Sequence, residues 1–294
     1  MTQLSIIIVS YNTKDILANC LNLIDKSDLD KSLFETIIID NGSNDGSIEM
    51  VEKLKSKNSY IKLIRNYTNI GFGAANNKAI RMAKSEYILL LNSDVMVDKD
   101  TILKQIQFMK EHLEYSASTC KLMLPDNKMD PACHRGFPTV WASLSYFAKL
   151  EKILPKTKIF GQYHQGFLNL DKIHDIDAIS GAFFMIKKSV FDKIGLFDEG
   201  FFMYGEDLDL CLRIKQHGFK IGFNSDNSAI HLKGKSGRKK TDKLINNSSL
   251  QKTNYHFWNA MWLFYQKHYL KKYPRITNLI VKQVINMQRK KYER

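Results

Sequence analysis

Leu4-Ser5-Ile6-Ile7-Ile8-Val9 is a short apolar run that gives way at once to Ser10-Tyr11-Asn12. A run of this length, rich in branched residues and closed by polar turn formers, reads as a strand buried on both faces. The pattern recurs at residues 36–40, 61–64 and 87–91, with stretches of helical spacing between. Leu17, Leu21 and Ile24 share one face of a helix expected from Lys14 to Ile24. Ile48, Val51 and Leu54 do the same for a second, from Ser47 to Lys57. Strands alternating with helices predict an α/β fold with parallel strands and crossover helices, Rossmann-like in plan. Ligands in such sheets bind beyond the carboxyl ends of the strands. Those ends are Ser10-Tyr11-Asn12, Asp40-Asn41-Gly42-Ser43, Asn69-Ile70-Gly71-Phe72-Gly73 and Asn92-Ser93-Asp94. Any one of these loops reads equally well as a plain turn, but four in succession point to a common cleft.

With 294 residues, 44% hydrophobic and 25% charged, the chain buries a substantial core. The formal charge of +14 raises the question of nucleic acid, and its distribution answers it. Residues 233–294 carry sixteen Lys and Arg against Asp242 and Glu293, while residues 1–232 balance 28 against 28. No nucleic-acid partner is therefore expected. The opening apolar run is too short for a signal peptide and lacks a basic flank. The four cysteines, Cys20, Cys120, Cys133 and Cys211, form no CxxC pair. A reduced, cytoplasmic setting is expected.

Beyond Asp100 a helix is expected from Lys104 to Glu114, and residues 125–155 offer few periodic signals. Asp177–Lys187 reads as a strand interrupted at Ser180-Gly181, followed by a short helix from Ser189 to Ile194. Gly205-Glu206-Asp207-Leu208-Asp209 then opens a helix with three carboxylates in four residues. Acids there stabilise a helix N-terminus. Packed this closely they also repel one another unless one keeps a proton or meets a cation or substrate, an environment suited to a general base. Asp94, just past a strand, is placed to meet a divalent cation bridging phosphates. His231 offers a nitrogen ligand, although a lone histidine is more often structural. Gly71-Phe72-Gly73-Ala74-Ala75-Asn76 only superficially matches a dinucleotide fingerprint, with Asn in place of the third glycine, and there is no P-loop.

Taken in order, Ile6-Ile7-Ile8-Val9-Ser10-Tyr11-Asn12, Ile39 to Ser47 and Asn69 to Asn76 resemble the inverting glycosyltransferases of family 2, which have the GT-A fold. The resemblance covers roughly residues 3–237 and implies a hexosyltransferase. It implies a donor site for a nucleotide-diphospho-sugar at Ser10, Tyr11, Asn12, Asp40, Asn69, Gly71, Phe72, Asn76, Asn92 and Ser93, with Ile39–Ser47 as the nucleobase loop. Leu90-Leu91-Asn92-Ser93-Asp94 stands at the family's metal-binding DxD motif, with Asn92 replacing the first Asp. Asp94 and His231 are then the ligands of Mg²⁺ or Mn²⁺, Asp207 the catalytic base, and Gly181, Ala182 and Glu206 the acceptor side. Asp130-Pro131-Ala132-Cys133-His134-Arg135-Gly136-Phe137-Pro138-Thr139 is similar to the rhamnosyltransferase branch of cell-surface polysaccharide assembly. That branch implies L-rhamnose from dTDP-rhamnose and a glycan or polyprenyl-diphosphate-linked acceptor.

The organisation expected is a GT-A domain over 1–237 and a basic, aromatic helical extension over 238–294. In the extension, Trp258, Trp262, Tyr265 and Tyr269 fall on one helical face, with Lys267, Lys271 and Lys272 near its end. Such a stripe suits either an anionic membrane interface, at the inner face of the cell membrane, or packing on the catalytic domain. The rival to an active enzyme is a sugar-nucleotide-binding partner that no longer catalyses.

Overall fold

The computed structural model describes residues 2–233 and 247–293. The boundary expected at 237/238 lies outside the described residues. The first half alternates β1 (Leu4–Ser10), α1 (Lys14–Asp25), β2 (Phe34–Asp40), α2 (Ser47–Lys55), β3 (Ile61–Arg65), α3 (Phe72–Met82), β4 (Tyr87–Leu91), the short β5 (Val95–Met96) and α4 (Thr101–Glu111). The second half continues with β6 (Tyr115–Met123), a 3₁₀ turn at Pro131–Cys133, α5 (Val140–Phe147), α6 (Leu150–Ile153), β7 (His174–Asp175), β8 (Phe183–Lys187), α7 (Lys188–Ile194), α8 (Glu206–Gln216) and β9 (Lys220–His231). The chain then forms α9 (Asn247–His268) and α10 (Arg275–Lys290).

Among the described residues nine strands make one sheet, in the order β3-β2-β1-β4-β8-β6-β9-β5, with β7 paired to β9. β1 is parallel to β2 and β4, and β2 to β3, as the alternating sequence predicts. Every residue of β2 and β4 is buried, because helices cover both faces of this half. The order leaves β1 toward β2 on one side and β4 on the other, so the loops after these strands open along one edge. Beyond β4 the sheet becomes mixed: β8 is antiparallel to β4 and β6, and β6 is parallel to β9.

Several expectations shift. The helix predicted from Lys104 to Glu114 starts at Thr101 and ends at Glu111, since residues 112–114 turn into β6. The strand predicted over Asp177–Lys187 is regular only from Phe183, because Ala178 is tied to Arg135 by a separate bridge. β9 is interrupted between its pairings Cys120↔Asn224 and Lys121↔Ser228. There Asn227 Nδ2 donates to the Thr101 carbonyl and to Gln105 Oε1, so the irregular segment is satisfied internally.

The aromatic stripe on α9 packs on the catalytic domain. Ala260, Phe264, Tyr265 and Tyr269 are buried in the same core as the sheet. Trp258 stacks on Phe147 at 5.7 Å and Trp262 on Tyr265 at 6.0 Å. None of the described helices is long and apolar enough to cross a membrane.

Candidate active site

The side of the cleft expected to take the donor is built from hydrogen-bonded loops at the ends of β1 and β2. Asp40, 1% exposed, accepts the backbone N–H groups of Gly42 and Ser43 on Oδ1, which turns the chain sharply after β2. Its Oδ2 is buried without a hydrogen-bond partner. A buried carboxylate oxygen left unmet is costly, and an N–H from a bound nucleobase would satisfy it. Tyr11 stands open at 48% exposure at the mouth, and Asn12, with φ of 52°, accepts from the Asn44 N–H while its own N–H donates to Ser43 Oγ. Ser10 Oγ lies 2.9 Å from Thr13 Oγ1, which in turn lies 3.4 Å from Ser93 Oγ, so the β1 and β4 loops touch.

Asn41 ties the third loop to the second. Its Nδ2 donates to Asn69 Oδ1 and its Oδ1 accepts from Asn66 Nδ2 and the Ile70 N–H. Gly71, at φ of 89°, lies against Phe202, whose carbonyl oxygen would sit 2.5 Å from any Cβ there. That close approach lets the Phe72 N–H bond to the same carbonyl. Asn76 is buried and donates back to the Phe72 carbonyl within α3. Its amide N–H therefore holds the helix start.

The expected base and metal ligands converge on the next turn. Asn92 donates its backbone N–H to the Ala182 carbonyl, setting the β4 turn against the start of β8. Gly181, next to Ala182, gives its N–H to Asp207 Oδ2 at 3.4 Å, and the Phe72 ring fills the space a side chain at Gly181 would need. Asp207, Gly181, Phe72 and the Asn92-Ser93-Asp94 turn thus form one continuous wall. Asp207 also meets Arg135, whose Nη2 lies 2.7 Å from its Oδ2, and both side chains are largely buried. Asp207 Oδ1 accepts the Leu208 N–H in the first turn of α8.

The three acids of this helix have separate fates. Glu206 is fully enclosed; burial first, and the Asp207 charge second, push its pKa up to about 8, so it keeps a proton at neutral pH. Asp207 is ion-paired with Arg135. Asp209 faces away from the cleft, bound by Arg213 at 2.8 Å and by Lys267 and His268 of α9, each at 2.7 Å.

At the far end of the wall, β9 pairs with β5 so that His231 stands opposite Val95, beside Asp94. His231 Nε2 lies 3.4 Å from Asp94 Oδ1, and its Nδ1 lies 2.7 Å from Asp130 Oδ2. Burial opposes protonation of the imidazole, but the bonds to Asp130 and Asp94 outweigh it and raise the pKa to about 9. Asp130, bonded also by Lys233 and the Ala132 N–H, is held well below the usual carboxylate range despite its burial.

Asp94 Oδ2 is buried with no partner. A carboxylate with a free oxygen and an imidazole oriented through its other nitrogen fit a hard or borderline divalent cation, which would bind His231 only in exchange for its Nε2 proton. No group of three or more His, Cys, Asp or Glu side chains is placed to hold a metal among the described residues. A cation here would draw its remaining ligands from diphosphate oxygens and water, as Mg²⁺ commonly does.

Arg135, Asp130 and Thr13 were not singled out as site residues from the sequence. Arg135 and Asp130 lie in the Asp130–Thr139 stretch, which is similar to the rhamnosyltransferase branch, a likeness that does not show what the two side chains touch.

The family described as Glycosyl transferase family 2 matches residues 5–195. The chain belongs to that family. The glycosyltransferase is 28% identical to the rhamnosyltransferase WbbL of Escherichia coli (strain K12) over 227 residues, 66% of this chain and 81% of that protein. It is 33% identical over 111 residues to a poly(ribitol-phosphate) beta-glucosyltransferase of Bacillus spizizenii (strain ATCC 23059 / NRRL B-14472 / W23), covering 37% of this chain but only 18% of that protein. Among solved structures, the mannosyltransferase PcManGT of Pyrobaculum calidifontis, in complex with GDP-Man and Mn²⁺, shares the fold at a TM-score of 0.62 and 13% identity, over 98% of this chain and 69% of that one. S. aureus TarS 1-349 does so at 0.57 and 18%, over 90% of this chain and 64% of that one. These neighbours establish the GT-A fold. The family match ends before Asp207 and His231 and does not bear on the roles expected of them.

Proposed function

We propose that this glycosyltransferase moves a sugar from a nucleotide-diphosphate donor to a glycan hydroxyl in a single displacement, with Asp207 as the base. The observation that carries the reading is Asp207 itself: a carboxylate held by Arg135 and the Gly181 N–H, on the wall that leads through Ala182 and Asn92 to Asp94 and His231. In the reaction the acceptor O–H bond breaks toward Asp207 as its oxygen bonds to the anomeric carbon. The bond from that carbon to the β-phosphate oxygen breaks on the opposite face, its electron pair leaves with the nucleotide diphosphate, and the configuration inverts. Asp94 and His231 would hold the cation, which when bound neutralises charge on the departing diphosphate. Ser10, Tyr11, Asn12 and Asp40 receive the nucleoside, and Asn69, Gly71, Phe72, Asn76, Asn92 and Ser93 frame the sugar and diphosphate. Gly181, Ala182 and Glu206 lie on the acceptor side, and Glu206, keeping its proton, adds no second negative charge there.

The donor reading is dTDP-L-rhamnose, supported by similarity across most of the length of a protein named a rhamnosyltransferase. The acceptor reading is a glycan on a polyprenyl diphosphate, in cell-envelope polysaccharide synthesis at the inner face of the membrane. Thermal-shift and donor-hydrolysis measurements with UDP-, GDP- and dTDP-sugars, with and without Mn²⁺, test both donor and metal. The expected result is a Mn²⁺-dependent rise in Tm with one nucleotide class, lost in Asp94→Ala and retained in Asp207→Asn. Absence of any shift with every donor would contradict donor binding and favour the non-catalytic partner.

A further inference from the structure

We infer that α10, and not the aromatic stripe of α9, is the surface by which this protein docks on an anionic phospholipid bilayer. This deepens the reading of a membrane-borne acceptor and rests on it for its purpose, though not for its physics.

α10 has two apolar faces. Asn278, Val281, Ile285 and Arg289 turn inward: Asn278 accepts from Tyr265 Oη, Val281 packs on the core, Ile285 is buried, and Arg289 reaches Asn259 of α9. Ile276, Ile280, Val284 and Met287 recur at spacings of four, four and three on the opposite side. With Leu279 they are 44–68% exposed, Val284 least and Ile276 most. The row of Ile276, Ile280, Val284 and Met287 runs along a 16-residue helix about 24 Å long, and Leu279 borders a groove that Trp262 and Leu270 also line. A monomeric water-soluble surface rarely leaves such a row uncovered.

Charge says what covers it. Between Lys271 and Lys291 the sequence holds seven Lys and Arg and no Asp or Glu. Lys271, Lys272, Arg275, Lys282, Lys290 and Lys291 are exposed. Lys282 lies over the Trp262 ring at 6.0 Å, on the side of α10 that faces α9. A second copy of α10 laid on the first would bring these like charges together, whereas a bilayer with anionic headgroups meets both the charge and the apolar row. A helix of this composition lies in the interface with its apolar side about 5–10 Å into the headgroup boundary.

The test is flotation of the full chain with vesicles of phosphatidylcholine alone and of phosphatidylcholine with phosphatidylglycerol, at low ionic strength. The wild type is expected to float with the anionic vesicles and remain below with the neutral ones. Ile276→Ser/Ile280→Ser/Met287→Ser, and separately Arg275→Gln/Lys290→Gln/Lys291→Gln, are each expected to weaken flotation by about tenfold or more. Both should leave the donor-dependent rise in Tm unchanged, which shows that the domain is folded and separates a failure of docking from a failure of donor binding. A wild type that stays below with anionic vesicles would overturn the inference, as would a triple-Ser variant that floats like the wild type. A wild-type dimer that the same triple-Ser variant converts to monomer would overturn it too, because the stripe would then belong to a second copy.

Discussion

Asp207, Glu206 and Asp209 show how three carboxylates in four residues coexist: a guanidinium takes one, a proton another, and a cationic knot on α9 the third. Their spacing forecast the crowding but not its resolution, since Arg135 lies 72 positions away from Asp207 in the chain. Replacing Asp207 with Asn removes the proposed proton acceptor at nearly constant shape. Turnover is expected to fall by roughly 10²–10⁴-fold while donor affinity, measured by calorimetry, stays within a few-fold. Glu206 supplies a pH prediction. Its folded pKa of about 8 exceeds the ordinary value of 4.5, so between these limits the unfolded chain loses a proton that the folded chain retains. Stability therefore declines as pH rises from about 4.5 to about 8 and levels above that. In Glu206→Gln this contribution vanishes, so thermal melts should show the Tm of the variant gaining on the wild type across that window. A constant difference with pH would contradict a protonated Glu206. Asp40, Asp94 and the Asn69–Phe72 turn were legible from the sequence because polar turn residues directly follow apolar strands. Asp130 and Arg135 were not, because their partners His231 and Asp207 come from distant elements.

At the scale of elements, β1 to β4, α1 and α2 announce themselves by short runs rich in Ile, Leu and Val and by spacing of three and four. β6 and β9 do not. Tyr115-Ser116-Ala117-Ser118-Thr119-Cys120 is small and polar, yet β6 lies inside the sheet, where Ser118 Oγ accepts from Gln105 Nε2 and Thr119 Oγ1 donates to the Phe183 carbonyl. Phe223-Asn224-Ser225-Asp226-Asn227-Ser228 is an irregular, polar stretch of β9 in which the Asn224 and Asn227 side-chain amides donate to Gln105 and Thr101. Buried polar side chains with mutual partners erase the periodic signal from which strands are read. The α9 stripe carried a clear signal with two meanings, and packing on α5 and the 201–205 loop decided between them: His256 stacks on Phe202 at 4.6 Å, and Ala260 approaches Gly205. The helix thus supports the loop that precedes Asp207. Its electrostatic anchor is Asp209, 0% exposed. Asp209→Ala takes the partner from His268, while Arg213 keeps the carbonyls of Ile194, Gly195 and Leu196 and Lys267 keeps Asp198, and it is expected to cost about 2–3 kcal/mol in denaturant unfolding. A loss below about 1 kcal/mol would show that α9 is held by its aromatic contacts alone.

For the molecule as a whole, the balanced first 232 residues and the basic remainder divide the chain by charge, while the core does not divide, because Phe264, Tyr265 and Tyr269 belong to the same buried cluster as the sheet. Calorimetry is expected to show one cooperative transition; a separate low-temperature transition would mean that the extension unfolds as a unit of its own. Of the sixteen Lys and Arg beyond residue 232, seven lie between Lys271 and Lys291 and six between Lys233 and Lys243, and a labelled oligonucleotide is expected to show no specific binding at physiological salt. Sheet, cleft and tail together fit the proposed reaction, in which a nucleotide sugar passes its sugar to an acceptor in one inverting step. The most direct measurement follows donor hydrolysis by ¹H NMR, with the donor class that raises Tm, and reads the anomer of the released sugar before it mutarotates. A first-formed sugar of configuration opposite to the donor is the result a single displacement assisted by Asp207 requires; a first-formed sugar that keeps the donor's configuration would contradict it.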